Sequence, residues 1–159
     1  MTRTGIGYDS HRFGAERAMV LGGVTIPGAA GLHGHSDADA VAHALIDALL
    51  GAAVLGDIGA MFPDTDPQWK DADSMQLLRS AVARLQGAGW APQHCDITVI
   101  LEAPRLAPFV PAIRQSLAAA LGVPIDGVSC KAKTNELMGF VGRGEGIAVL
   151  AVASIGAAT

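Results

Sequence analysis

Every apolar run in this chain is broken by Gly, Asp or His well before the roughly 18 residues that a membrane-spanning helix needs. Such a chain must build its core from short elements, and the interruptions mark where they stop. Arg3 to Phe13 alternates loosely and reads as a strand, with Gly5 and Gly7 allowing close backbone approach. Met19–Ile26 reads as a second short strand, stopped by Pro27-Gly28. A loop rich in Gly and His follows, from Gly28 to His35. Ser36-Asp37-Ala38-Asp39 opens a helix, with Ser36 or Asp37 as its cap. It runs to about Leu55, with Val41, Leu45, Ala48, Leu49 and Ala52 on one face, and Gly56-Asp57-Ile58-Gly59 ends it. Met61–Lys70 reads as a loop and Asp71–Leu85 as a second helix. His94–Glu102 is the clearest strand, rich in β-branched residues. After a loop with Pro104 and Pro108 comes a helix over Val110–Leu121, then strands over Val128–Lys133 and Ile147–Ile155. No linker or repeat divides the chain. The order β-β-α-α-β-α-β-β predicts one α+β domain over residues 1–159, with three helices packed on one mixed, mostly antiparallel sheet in two layers.

Composition narrows the class. A chain of 159 residues should bury roughly 68% of its unfolded surface, enough for a core without staples. Half of its residues are hydrophobic, yet only 16% are charged and 4% aromatic. Ala, Leu, Val and Ile must therefore fill the core, and so apolar a small chain should hide part of its surface against other copies. Lys+Arg 11 against Asp+Glu 15 gives a net charge of −4, which argues against nucleic acid or an anionic membrane as partner. Cys95 and Cys130 are too few for a disulfide scaffold and suit a reducing cytoplasm. The opening MTRTGIGYDSH lacks the apolar core of a signal peptide, which fits the same location.

Three segments carry chemistry. Asp9 and His11 lie two apart on a strand and so share a face, where a carboxylate oxygen and an imidazole nitrogen suit Zn²⁺. His43, inside the first helix, is the best third ligand, and Asp39 or Asp47, four residues either side, could accept its other ring N–H. Asp, His and His would leave a fourth position open, as catalytic sites do. D-x-H alone is common, and a lone helix His is more often structural. His35-Ser36 stands at the start of that helix, where free N–H groups and the dipole suit a phosphate. Lys131, Lys133, Thr134 and Arg143 can hold phosphate oxygens, and Glu136 is a hard oxygen ligand suited to Mg²⁺ carrying a diphosphate.

Seven motifs in one order carry a resemblance. They are G-Y-D-S-H at Gly7–His11, L-G-G-V-x-I-P at Leu21–Pro27, H-S-D-x-D at His35–Asp39 and H-A-L-I-D-A-L-L-G-A-A at His43–Ala53. Then come L-G-D-I-G-x-x-F-P-D-T-D at Leu55–Asp66, E-A-P-R-L at Glu102–Leu106 and K-A-K-T-N-E-L-M-G-F-x-G-R-G-E-G at Lys131–Gly146. Together they resemble the 2-C-methyl-D-erythritol 2,4-cyclodiphosphate synthase family of non-mevalonate isoprenoid biosynthesis. The resemblance implies a homotrimer with active sites between subunits. It implies zinc, or a similar divalent cation, on Asp9, His11 and His43, and Mg²⁺ or Mn²⁺ at Glu136. His35 and Thr134 would stabilise transition-state charge. His35, Ser36, Asp57, Ile58 and Gly59, with Phe62, Pro63, Asp64, Thr65 and Asp66, would hold the methylerythritol phosphate, and Asp9, Ser10, His11 and Glu136 would also contact the substrate. Leu101, Glu102, Ala103, Pro104, Arg105, Leu106 and Ala107, with Ala132, Lys133, Thr134 and Asn135, would form the cytidine pocket; Phe140 and Arg143 match further substrate contacts. Lys133 and Asn135 stand where some members have hydroxyl residues.

The implied substrate is 4-diphosphocytidyl-2-C-methyl-D-erythritol 2-phosphate, whose 2-phosphate attacks its own β-phosphorus and expels CMP. Its nucleophile is already an anion, so the lack of a Ser or Cys nucleophile with a paired base is expected. A metal-dependent phosphodiesterase, using the same three ligands to activate water, is the nearest alternative. A trimeric module binding nucleotide or isoprenoid without turnover is the other.

Overall fold

The computed structural model describes Met1–Ala158. Its elements are β1 (Arg3–Ala15), β2 (Met19–Leu21), β3 (Val24–Ile26), β4 (Gly31–Leu32), α1 (Ala40–Ala53), α2 (Ile58–Met61) and α3 (Ser74–Gly87). β5 (Trp90–Ile100), α4 (Val110–Leu121), β6 (Val128–Lys133), α5 (Gly139–Gly142) and β7 (Gly146–Ala157) complete it. Five strands form one sheet in the order β4-β1-β7-β5-β6. Only β5 and β6 run parallel; the other pairs are antiparallel. The fold is α+β with a mixed, mostly antiparallel sheet, as the element order implied.

Three local expectations change. Met19–Ile26 is a hairpin outside the main sheet, Met19 pairing with Ile26. Gly22 and Gly23 have φ of 57° and 77°, the two positive values that a tight two-residue hairpin turn requires. The first helix begins at Ala40, capped by Asp39 and not by Ser36 or Asp37. The Asp39 carboxylate accepts from the N–H groups of Val41 and Ala42, and also from Gly22 and Gly23 of the hairpin. The N-terminal donors expected to serve a phosphate at His35-Ser36 are thus already bonded. Met61–Lys70, expected to be all loop, contains a 3₁₀ turn over Pro67–Trp69, and the segment expected only to end the first helix leads straight into the one-turn α2. Asp57 and Asp66 cap these with their carboxylates.

α1 is not a one-faced surface helix. All of its residues except His43, Asp47 and Gly51 are buried. It lies against β1 at backbone distance because β1 presents glycines there. A Cβ at Gly5 would sit 2.1 Å from the carbonyl oxygen of Ala48, and one at Gly7 1.8 Å from that of Ala44. Two glycines on the strand and alanines on the helix thus let two backbones touch. The sheet register carries the consequence across the fold. Asp9 pairs with Val149, Val149 with Val99, and Val99 with Ala132, one row on the helix-covered face. The opposite face carries Ile6, Tyr8, Leu150 and Val152, which are all exposed.

Candidate active site

The close approach of α1 to β1 brings three side chains together. Asp9 and His11 project from β1 toward α1, and His43 projects from α1 toward them. Asp9 Oδ2 lies 2.8 Å from His11 Nε2 and 3.2 Å from His43 Nδ1. The two nitrogens are 3.3 Å apart. Tetrahedral zinc with ligand bonds of about 2.0–2.1 Å places donor atoms roughly 3.3 Å from one another, so these three atoms fit a common ion. They are the one cluster of this kind among the described residues.

The outer ring nitrogens decide whether the inner ones are free. His11 Nδ1 is 2.7 Å from the carbonyl oxygen of His33, which can only accept. The neutral ring therefore carries its proton on Nδ1, and its Nε2 is the atom that can ligate a cation. His43 Nε2 reaches the Ser74 hydroxyl at 2.8 Å and that of Ser36 at 3.0 Å. Asp39 and Asp47 do not hold this ring. Asp39 caps α1, and Asp47 accepts from the backbone N–H of Ile58 at 2.7 Å.

Electrostatics suit a cation. Burial alone would raise the Asp9 carboxyl, but hydrogen bonds and charge from His11 and His43 outweigh it and hold it at about 2. Burial would lower the His11 imidazole, yet Asp9 more than offsets this and raises it. A carboxylate between two imidazoles is a place where positive charge is favoured.

Beside the cluster opens a cavity of about 340 Å³. His11, His35, Ser36 and His43 form one wall, and Ile58, Gly59, Phe62, Pro63 and Asp64 another. Trp69 and Leu77 also line it; the sequence did not single them out. Trp69 packs edge-on against Phe62 at 5.1 Å, and this Trp after a Pro-rich loop was the available signal. Asp57, Thr65 and Asp66 are not in the lining; the two aspartates are caps of α2 and of the 3₁₀ turn. Ser10 is exposed, on the opposite face of β1 from its neighbours Asp9 and His11.

A second cavity, of about 440 Å³, is lined by Leu101, Glu102, Pro104, Arg105, Leu106 and Ala107 together with Ala132, Lys133 and Thr134. Ala103 and Asn135 adjoin it without lining it. Glu102 Oε1 accepts from the backbone N–H of Asn135 at 2.8 Å and of Leu137 at 3.3 Å. It thereby ties down Glu136 and Leu137, which have φ of 52° and 63°. Thr134 Oγ1 donates to Glu136 Oε1 at 3.1 Å. Phe140 is outside both linings, and the exposed Arg143 pairs with Glu145 at 3.2 Å. The two cavities lie at opposite ends of the Asp9–Ala132 row, three strand spacings or about 14 Å apart.

Residues 2–156 match the family model described as the YgbB family. The chain belongs to the YgbB family. It is 59% identical over 151 residues to the 2-C-methyl-D-erythritol 2,4-cyclodiphosphate synthase of Symbiobacterium thermophilum, covering 95% of this chain and 96% of that one. It is 57% identical over 153 residues to the synthase of the same name from Salinibacter ruber, covering 96% and 98%. Among solved structures, the bifunctional IspDF from Campylobacter jejuni superposes with a TM-score of 0.96 at 42% identity. That match spans 99% of this chain and 43% of the longer bifunctional protein. A 2C-methyl-D-erythritol-2,4-cyclodiphosphate synthase in its CDP-bound form gives 0.89 at 37% identity, covering 97% and 100%. This YgbB-family chain thus sets three metal-competent side chains beside one cavity and the Thr134–Leu137 turn beside another. No helix of the described residues is long and apolar enough to cross a membrane.

Proposed function

We propose that this chain converts 4-diphosphocytidyl-2-C-methyl-D-erythritol 2-phosphate into 2-C-methyl-D-erythritol 2,4-cyclodiphosphate and CMP. The observation that carries the reading is the convergence of Asp9 Oδ2, His11 Nε2 and His43 Nδ1 beside a cavity that His11 and His43 line, with His11 held in the ligating tautomer by His33. In the reaction an oxygen of the 2-phosphate bonds to the β-phosphorus. The bond from that phosphorus to the bridging oxygen breaks, and its electron pair leaves on CMP. No proton has to move, so the residues' work is positioning and charge.

A zinc ion on Asp9, His11 and His43 would supply Lewis-acid neutralisation of the two repelling phosphates. The remaining work belongs to the chain. His35 and Ser36 stand beside the cluster and can donate to phosphate oxygens. Phe62 and Trp69 give the cavity an apolar wall that keeps water from the diphosphate. Glu102 sets the backbone of the 135–137 turn, and Thr134 stands at the mouth of the second cavity, in position to donate to the diphosphate. Glu136 belongs to no three-ligand cluster among the described residues, so a second ion there would be shared with the diphosphate.

The assembly we propose is a homotrimer in which one subunit's Asp9–His11–His43 cluster faces its neighbour's nucleotide cavity. Two features support it. The cavities sit at opposite ends of one sheet, and the uncovered sheet face carries an apolar patch on β1 and β7. Ile6 and Tyr8 are 70% and 53% exposed and pair across the strands with Val152 and Leu150. A contiguous apolar patch of this kind marks an interface. The deciding experiment is phosphorus NMR of the cytidyl substrate incubated with the protein, Zn²⁺ and Mg²⁺. A cyclic diphosphate plus CMP is expected; linear phosphates would mean hydrolysis and overturn the assignment.

A further inference from the structure

His43 is the ligand whose tautomer is not fixed by a carbonyl. Its Nε2 faces two hydroxyls, Ser74 Oγ at 2.8 Å and Ser36 Oγ at 3.0 Å. A hydroxyl can donate or accept, so it could equally impose the wrong tautomer, with the proton on Nδ1 where a cation should bind. What settles the direction lies one step further out. The Ser74 hydroxyl donates to Asp37 Oδ1, and Asp37 Oδ2 accepts the Ser74 backbone N–H at 3.1 Å. A carboxylate cannot donate. The Ser74 proton is therefore committed to Asp37, and the lone pair of Ser74 Oγ is what His43 meets. Ser74 thus offers His43 Nε2 an acceptor and favours the tautomer with its proton there, the one whose Nδ1 can ligate a cation in place of its 3.2 Å contact with Asp9 Oδ2.

The geometry points to Asp37 and Ser74 as a positioning pair for the metal site: the carboxylate orients the hydroxyl, and the hydroxyl sets the tautomer and ring angle of His43. The pair is built to be rigid. Ser74 is fully buried at the first turn of α3, whose cap is Asp73. Asp37 accepts from the Asp39 N–H at 3.1 Å and gives its own N–H to the Ala72 carbonyl at 3.1 Å. The pair thus ties α3 and the segment before α1 to one ring nitrogen. It also explains a conflict with the sequence reading: four-residue spacing pointed to Asp39 or Asp47, whereas the support comes from a residue 31 positions away. Outer partners of this kind typically change metal affinity 10–100-fold.

The inference rests on the reading that the cluster binds a divalent cation, and its test separates the two. Wild type, Ser74→Ala, Ser74→Thr and Asp37→Asn are stripped of metal and titrated with Zn²⁺ against a chelating indicator, with melting curves of the metal-free proteins alongside. Wild type should bind about one Zn²⁺ per chain. Ser74→Ala and Asp37→Asn should bind it roughly 10–100-fold more weakly, with apo Tm lowered by roughly 2–12 °C for the lost buried hydrogen bonds, and Ser74→Thr should restore most of the lost affinity. Asparagine is the sharper probe, since its amide can donate to Ser74 and reverse the chain. Equal Zn²⁺ affinity in wild type, Ser74→Ala and Asp37→Asn overturns the pair while leaving the metal reading intact. Absence of any Zn²⁺ binding by wild type overturns both. If the variants fail to fold, imidazole ¹⁵N spectra of metal-free wild type decide: a neutral His43 ring with its proton on Nε2 supports the pair, and one with its proton on Nδ1 refutes it.

Discussion

Gly7→Ala tests whether the metal site and the fold share one contact. The added Cβ would lie 1.8 Å from the Ala44 carbonyl oxygen and 2.8 Å from the Ala48 nitrogen. Reaching even a 3.0 Å contact requires 3.0 − 1.8 = 1.2 Å of movement between β1 and α1. Both partners are backbone, so no rotamer change can absorb it. Overpacking in cores costs about 1–3 kcal/mol, and a backbone clash belongs at the upper end. For a chain of this length, about 3 kcal/mol lowers Tm by roughly 6–12 °C. Gly7 is two residues from Asp9, and Ala44 is the neighbour of His43, so the same shift separates the ligands. Metal sites tolerate about 0.2 Å in ligand distance. Zn²⁺ affinity should therefore fall along with Tm. Gly51→Ala is the control on the same helix: a Cβ there meets nothing within 4 Å, so it should stabilise by about 0.5–1 kcal/mol. Calorimetry and Zn²⁺ titration read both. A Gly7→Ala protein that melts within about 2 °C of wild type and keeps its Zn²⁺ affinity would refute the reasoning.

His43→Ala removes one of three ligands; elemental analysis should find far less than one Zn²⁺ per chain, and wild-type content would disprove the assignment. Thr134→Ala should lower kcat more than it weakens CDP binding, and equal losses would make it a binding residue only. Glu102→Ala frees two backbone donors and should weaken CDP binding roughly tenfold, about 1.5 kcal/mol, with Zn²⁺ affinity unchanged; calorimetric titration separates the two. Burial pushes the Cys95 thiol up to about 12 and the Cys130 thiol up to about 11. A thiol reagent at pH 8 should therefore label neither in the native protein and both in denaturant.

The sequence made some of this legible and hid the rest for physical reasons. β1 could be read because a period-two pattern survives its glycines, and that pattern put Asp9 and His11 on one side. The glycines also signalled a close neighbour without saying which; that α1 is the neighbour follows only from tertiary packing. The hairpin at Gly22-Gly23 was missed because each arm is three residues long, too short for any periodicity to separate from one continuous strand. The start of α1 was placed early because Ser36, Asp37 and Asp39 are all good caps, and the competition was settled by the hairpin, whose two free N–H groups Asp39 also satisfies. Ser74 and Asp37 escaped for a related reason. Spacing along one helix exposes partners on that helix and cannot reveal a hydroxyl supplied by another.

The acidic balance of the chain poses a final question, since the proposed substrate is itself a multiple anion. The resolution lies in where the carboxylates point. Asp39, Asp57, Asp66 and Asp73 each accept backbone N–H groups at the start of a helix or turn, where the helix dipole and donors absorb negative charge. Asp47 is bonded to the Ile58 N–H and Asp37 to Ser74. Asp9 is shared between two imidazoles. Asp64 is the one acid in the lining of the first cavity. Most negative charge near the site is thus committed to fixed donors that also shape its walls, so the carboxylates that build the pocket do not confront the phosphates that would enter it.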